Sequence, residues 1–226
     1  AGRTVNGRLV GEFVDIAFSE NANRIVALDR NGVLVSCTPQ FNECAAQQLL
    51  GTELWANPSA ITFWNGRLYI LDNRSGASQI WRYEPSGNIY PNQPSEVFSG
   101  QNVISNAVDF TIDGTGSIYV LIADGTVAKF FNAAPLQFGF SGFPQGQTMT
   151  TIASMHLDDS PTAQRLYFVN QPGRTIHETT LSGVFNTSYR SFNEDLFALA
   201  EDVTTISTND IVYVVSGNSI LAFNRE

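Results

Sequence analysis

A hydrophobic tetrapeptide recurs five times along this chain of 226 residues and restricts the folds that the chain can adopt. The copies IVAL, LYIL, IYVL, LYFV and VYVV begin at positions 25, 68, 118, 166 and 212, so successive copies lie 43, 50, 48 and 46 residues apart. Their β-branched and aromatic residues favour strands. A period of about forty to fifty residues, with several strands per copy, is typical of a β-propeller in which each copy forms one blade.

The third copy shows how each repeat is built. Within AVDFTIDGTGSIYVL, residues 107–121, Val108, Phe110 and Ile112 alternate with other side chains and predict a first strand. The sequence DGTG at 113–116 predicts a tight turn, and IYVL then starts the second strand. Third strands of the five copies are predicted at 33–37, 79–83, 127–131, 175–180 and 219–223. Helical composition is limited to ECAAQQLL at 43–50 and DLFALA at 195–200, and both stretches are short and fall where a loop or an edge strand is due.

We therefore predict an all-β, five-bladed β-propeller of four-stranded antiparallel blades, forming a single domain over residues 1–226. The repeats are placed at about 14–55, 56–100, 101–147, 148–194 and 195–226. The fifth copy ends after its third strand, and an open ring would expose sheet edges. We expect residues 4–10, within the N-terminal segment 1–13, to supply the missing outer strand and close the ring. Because Asn6-Gly7 is a hairpin signal, the alternative is two strands of a further blade.

The charge of the chain argues against some partners. Charged residues make up 15% of the sequence, the formal net charge is −9, and Lys129 is the only lysine. Nucleic acids and anionic membranes bind basic patches, so neither is an expected partner. No apolar run approaches the roughly 18–20 residues that cross a bilayer, so no membrane span is predicted. We expect a monomer whose partner is an unknown protein or small molecule.

Two stretches resemble a known group of repeats. AVDFTIDGTGSIYVL resembles the NHL-type propeller repeat, in which a strand G-[IV]-A-V-D is followed by a hairpin D-x-x-G-N-[IV]-Y-V-[AT]-D. Ser117 stands at the Asn position, and Leu121-Ile122 replaces the usual Ala-Asp. The stretch RLYILDNRSGASQIWRYEPSG, residues 67–87, is similar to propellers carried behind a membrane segment by bacterial Ser/Thr kinases and metal-dependent Ser/Thr phosphatases. The resemblance implies an extracytoplasmic or cell-surface sensor, tethered through a segment outside this sequence.

The two cysteines of the chain are Cys37 and Cys44. Cys37 ends a predicted third strand, and Cys44 lies where the chain turns back toward a fourth strand. A hairpin of this kind can bring two Cα atoms within disulfide range. We predict a Cys37–Cys44 disulfide, which suits an oxidising compartment; the alternative is two reduced thiols.

Three aspartates recur in the repeat and are the main candidates for a ligand site. Asp15, Asp109 and Asp202 stand nine or ten residues before their second-strand copies, on strands that would line the axial tunnel. Carboxylates converging at one mouth could bind Ca²⁺, Mg²⁺ or a small polar ligand, and His156 is expected to face the same tunnel. The alternative is structural: each aspartate would accept backbone N–H bonds from a neighbouring inter-blade loop.

The leading functional hypothesis is a non-enzymatic binding or interaction module, with no catalytic residue and no cofactor beyond Ca²⁺ or Mg²⁺. One alternative is a hydrolase of small molecules or sugars that uses the tunnel carboxylates, since glycosidases need two such groups. A second alternative is a carbohydrate-binding propeller. It would require the same aromatic residues in every blade, whereas Trp55, Trp64 and Trp81 are not at equivalent positions.

Overall fold

In the computed structural model, residues 3–74, 76–98, 104–160, 164–193, 195–205 and 210–225 are described. The predicted repeat limits at 100, 101, 194 and 226 lie outside these residues. The sequence also predicts a first strand of the fifth copy at 203–206, and its last residue lies outside them too. The chain divides into two compact units, Ala1–Ala107 and Val108–Glu226, and each is treated by itself.

The first unit contains a short hairpin and two blades. The hairpin consists of β1 (Arg3–Val5) and β2 (Arg8–Val10), which pair antiparallel. The first blade is a four-stranded sheet in chain order: β3 (Phe13–Ser19), β4 (Arg24–Asp29), β5 (Val33–Cys37) and β6 (Cys44–Gln48). The second blade follows a 3-10 turn (Thr52–Leu54) and has the same order: β7 (Pro58–Trp64), β8 (Arg67–Asp72), β9 (Gln79–Tyr83) and β10 (Ser95–Glu96).

The second unit contains three blades. The third blade comprises β11 (Ala107–Ile112), β12 (Ile118–Ile122), β13 (Val127–Phe131) and β14 (Ala134–Leu136). The fourth comprises β15 (Ile152–Asp158), β16 (Arg165–Asn170), β17 (Thr175–Thr179) and β18 (Phe185–Tyr189). A four-residue helix, α1 (Asp195–Ala198), precedes the fifth blade, which has three strands in the described residues: β19 (Ala200–Thr205), β20 (Ile211–Ser216) and β21 (Ser219–Asn224).

Five antiparallel sheets in succession make the chain an all-β, five-bladed β-propeller, as its repeats predict. The recurring tetrapeptides form the second strands, and their side chains are largely buried. In the first unit, Leu68 and Ile70 lie in a core cluster with Leu28 and Tyr83. In the second unit, equivalent residues of β12, β16 and β20 are buried in two clusters. The repeated hydrophobic pattern therefore builds the core.

The N-terminal segment differs from the prediction of a single closing strand. Residues 4–10 form the β1–β2 hairpin, with Asn6 and Gly7 at positive φ (47° and 78°) in the turn. Such a turn pairs the strands that flank it, so each strand finds its partner locally. Val10 packs against Val33 and Val35 of the first blade. In the second unit β21 pairs with β20, and no outer partner of β21 is seen in the described residues.

Candidate functional site

Asp15 and Asp109 join the first strands of successive blades within their units. One oxygen of each carboxylate accepts the next residue's backbone N–H, and the other accepts a backbone N–H from the following blade. The second bond runs from Ile61 to Asp15 in the first unit and from Met155 to Asp109 in the second, each at 2.7 Å. These contacts match the structural alternative, with a first strand rather than a loop as the donor.

Asp202 occupies the equivalent place in the fifth blade. Its Oδ1 accepts the backbone N–H of Val203 at 2.8 Å. The surrounding protein desolvates the carboxylate and raises its pKa, and the hydrogen bond from the Val203 backbone partly opposes this shift. The side chain keeps an exposed surface, so the desolvation reflects crowding by the protein around an accessible group.

His156 makes the same kind of link between the fourth and fifth blades. Its Nε2 accepts the backbone N–H of Thr205 at 3.2 Å and lies 3.0 Å from the Thr205 hydroxyl. Desolvation lowers the pKa of His156 to about 4, with an upward contribution from Asp158 and a downward one from Arg225. The imidazole is therefore neutral at physiological pH, and its Nε2 acts as an acceptor for main chain.

The four predicted ligand residues are divided between the units: Asp15 belongs to the first and the other three to the second. In the part of the chain that the structure describes, no three histidine, cysteine or acidic side chains form a group able to hold a metal ion. Ligand binding by Asp15, Asp109, Asp202 and His156 stays a prediction. What the structure shows is a main-chain contact for each of them.

A second histidine contacts a serine in the fourth blade. Nδ2 of Asn170 lies 3.1 Å from Nε2 of His177, and Oδ1 of Asn170 accepts the backbone N–H of Gly173. Nδ1 of His177 lies 2.7 Å from the Ser188 hydroxyl, which donates to Gln147 at 3.0 Å. Since Asn170 is the donor to Nε2, the imidazole proton is on Nδ1 and points at Ser188. In a nucleophile–base pair the serine hydroxyl would donate to an unprotonated imidazole nitrogen, whereas here the imidazole donates to the serine. This chain of hydrogen bonds is therefore structural.

Each unit also contains a cavity between neighbouring blades, at positions that no sequence pattern predicted. The cavity of the first unit, here the Ser36 cavity, has a volume of about 200 Å³ and is lined by residues that include Val26, Ser36 and Tyr90. The cavity of the second unit, here the Glu178 cavity, has a volume of about 330 Å³ and is lined by residues that include Tyr167 and Glu178. The one signal in the sequence was an acid within the predicted strand 175–180.

The predicted disulfide is confirmed. Cys37 at the end of β5 and Cys44 at the start of β6 are directly opposite each other in the sheet and are linked. None of the helices among the described residues has the length or apolar character of a membrane span.

Comparison with solved structures supports the propeller fold. A catalytically inactive virginiamycin B lyase from Staphylococcus aureus, solved with quinupristin, superposes on 94% of this chain and 70% of its own with a TM-score of 0.54. The two sequences are 12% identical, so the likeness extends to the fold alone. No known family pattern matches the sequence, and no curated protein matches it.

Proposed function

We propose that this chain is a binding module without catalytic activity of its own, serving as the extracytoplasmic sensor of a bacterial signalling protein. The observation that carries the proposal is the main-chain engagement of its candidate acid–base groups. Asp15, Asp109 and His156 each accept a backbone N–H from the first strand of the next blade. A general acid or base must exchange protons with a substrate, whereas these groups hold blades together.

Two observations of different kinds support the proposed extracytoplasmic location of the protein. The Cys37–Cys44 disulfide supports an oxidising compartment, because cytosolic reductants keep most thiols reduced. The NHL-like stretches at 107–121 and 67–87 support a tethered sensor of the kind that accompanies bacterial kinases and phosphatases. Intact-mass analysis of protein taken from its native host, alkylated without reductant, should show no modified cysteine; two modified cysteines would contradict the extracytoplasmic location.

The catalytic test uses the triple variant Asp15→Asn/Asp109→Asn/Asp202→Asn. Parent and variant are incubated with a panel of chromogenic glycosides, lactones and quinupristin, the last because the structural neighbour was solved with it. We expect turnover by neither protein. Turnover by the parent that the variant loses would replace the binding function with a hydrolase or lyase.

Stability supplies the second readout of the same variant. An asparagine retains one acceptor oxygen, so each site should lose about 1 kcal/mol of unfolding free energy. The matched control is Asp195→Asn, because that carboxylate is 87% exposed and its replacement should leave stability unchanged. Calorimetric titration with CaCl₂ and MgCl₂ tests the cation hypothesis: binding by the parent alone would assign the three aspartates to a metal site.

A further inference from the structure

The Glu178 cavity lies where one end of the fourth blade meets the fifth blade. Arg165 and Tyr167 come from the start of β16, and Glu178 comes from the end of β17. Asp210 precedes β20 and Arg225 follows β21, and the backbone N–H of Arg225 donates to the Asp210 carbonyl at 2.8 Å. Antiparallel pairing brings these strand ends together, which places charged and phenolic groups around one cavity.

Glu178 is buried and its carboxylate is fully hydrogen-bonded. Arg165 approaches Oε1 at 3.2 Å, and Asn186 donates to the same oxygen. The Tyr189 hydroxyl donates to Oε2 at 2.6 Å. Because both oxygens already have strong donors, Glu178 fixes the wall of the cavity and leaves ligand contacts to other groups.

Donors without partners lie on the Tyr167–Arg225 side of the same cavity. Tyr167 is fully buried, and its hydroxyl makes no hydrogen bond of good geometry to the described residues. Desolvation raises the pKa of this phenol, and the charge of the nearby Glu178 adds to the rise. Nε and Nη2 of Arg225 are likewise buried without hydrogen-bond partners among these residues. Buried polar groups in folded proteins are almost always paired, so these donors indicate where a ligand's oxygen atoms would lie.

In the third blade, the tyrosine equivalent to Tyr167 has a hydrogen-bond partner. Tyr119 stands at the position in β12 that Tyr167 occupies in β16, and it is also fully buried. Its hydroxyl donates to Asp113 at 3.1 Å, and the Lys129 ammonium lies 4.5 Å from its ring centroid. The third blade therefore supplies a hydrogen-bond acceptor for its buried tyrosine, whereas the hydroxyl of Tyr167 in the fourth blade has none among the described residues.

The charges around the cavity select the ligand. Arg225 forms an ion pair with Asp158 at 2.6 Å, and Arg165 forms one with Glu178. The lining therefore carries two acids, Glu178 and Asp210, and two arginines; Asp158 adds a third acid behind Arg225, and the whole chain carries −9. An anion would meet no excess of positive charge, whereas a neutral molecule could accept from Tyr167 and Arg225 and donate to Asp210. Paired hydroxyls on neighbouring carbons have this double character.

We propose that the Glu178 cavity binds a neutral sugar, with hydroxyl oxygens accepting from Tyr167 and Arg225 and a hydroxyl hydrogen donated to Asp210. The inference rests on the proposed binding function and names its ligand class and site. It differs from a lectin with one site per blade, since a single cavity carries the donors.

An NMR titration of the ¹⁵N-labelled chain tests this proposal. The probes are D-glucose, D-galactose, D-mannose and N-acetyl-D-glucosamine, with acetate and glycine as the anionic and zwitterionic comparisons. We expect saturable shifts with at least one sugar, centred on the strand ends that line the cavity. The variant Tyr167→Phe should bind that sugar about tenfold more weakly, as the loss of one hydrogen bond predicts. Arg225→Lys keeps the charge beside Asp158, removes the guanidinium donors and should also weaken binding.

The control is Tyr69→Phe, which removes a hydroxyl at the equivalent position of the second blade and should leave the affinity unchanged. Failure of all four sugars to bind, binding unchanged by Tyr167→Phe, or binding of acetate or glycine in place of sugars would overturn the proposal. In those cases the binding function stands if the catalytic screen is also silent. Turnover in that screen overturns the proposed function instead, so the two failures are distinguishable.

Discussion

The Ser36 cavity and the Glu178 cavity occupy equivalent places in the repeat, yet their chemistry differs. Val26 pairs with Ser36 across β4 and β5, and Tyr167 pairs with Glu178 across β16 and β17 at the same register. One cavity therefore has an aliphatic side chain and a hydroxyl where the other has a phenol and a carboxylate. The comparison teaches that the repeat fixes the backbone around each cleft and leaves the side chains that face it free to diverge.

The Ser36 cavity has the chemistry of a structural cleft. Every described residue on its wall is uncharged. The Tyr90 hydroxyl donates to the Gly66 carbonyl at 3.2 Å, and the Tyr90 backbone N–H donates to Gln47 at 3.0 Å. These contacts satisfy the tyrosine locally, whereas Tyr167 in the other cavity has a buried hydroxyl without such a partner. The Glu178 cavity is thus the better candidate for a ligand site.

The largest expected difference between the cavities is in stability. Glu178→Ala removes the acceptor of Arg165, Asn186 and Tyr189 and should lower the unfolding free energy by about 3 kcal/mol or more, as breaking a buried ion pair does. Ser36→Ala at the equivalent position should cost no more than about 0.5 kcal/mol. Denaturant unfolding of both variants measures the two losses of unfolding free energy. Equal losses would contradict the proposed difference between the cavities.

Lowering the pH should destabilise the second unit more than the first, because the two histidines of the chain, His156 and His177, lie in the second unit. Desolvation lowers the pKa of each histidine to about 4. At His156, Asp158 opposes this shift and Arg225 adds to it. At His177, Arg190 adds to it. Below pH 6.5 the unfolded chain binds protons that the native histidines do not. Their contribution is complete above pH 6.5 and is lost as the pH falls toward 4, on the order of 3 kcal/mol for the pair after allowance for partial exposure.

The raised pKa of Asp202 works in the opposite direction and offsets part of this loss. Hydrogen exchange at pH 7 and pH 5, corrected for intrinsic rates, should show a larger loss of protection in the second unit. Replacing His156 and His177 by glutamine should flatten the pH dependence. A uniform loss across both units would contradict the assignment.

The disulfide should affect the first unit. Cys37→Ser/Cys44→Ser opens a short loop and should lower the unfolding free energy by about 2–3 kcal/mol, because the unfolded chain regains the entropy of that loop. Thermal unfolding with and without reductant measures this. Reductant should lower the melting temperature of the parent and leave that of the double variant unchanged. An unchanged melting temperature of the fully reduced parent would show that the disulfide does not stabilise the fold.

The smallest effect concerns the two buried tyrosines of the second unit. Tyr119→Phe removes the hydrogen bond to Asp113 and should cost about 1 kcal/mol. Tyr167→Phe removes a hydroxyl without a partner, so stability should stay constant or rise by up to about 1 kcal/mol. Parallel denaturant curves test the pair. A loss at Tyr167 equal to that at Tyr119 would mean that its hydroxyl is satisfied within the protein.

Much of the architecture follows from local sequence patterns. The predicted third strands 33–37, 79–83 and 127–131 coincide with β5, β9 and β13, because period-2 alternation and turn residues act over a few positions. The tetrapeptides formed the buried second strands, since their composition suits a strand covered on both faces. The cysteine spacing determined the disulfide for the same reason: seven residues in a hairpin leave few alternatives.

Tertiary contacts decided what these patterns left open. ECAAQQLL has helical composition, yet Cys44–Gln48 is a strand because it pairs along β5 and is linked to it at Cys37. The periodic aspartates were visible in the sequence, but their backbone donors lie 46 residues away on the next blade. The Glu178 cavity gathers residues from β16 to the end of β21, and its unpaired donors are a property of geometry. Sequence alone determined the blades of this protein, because strands and turns are specified locally; the contacts between blades depended on which distant groups the folded chain brings within bonding distance.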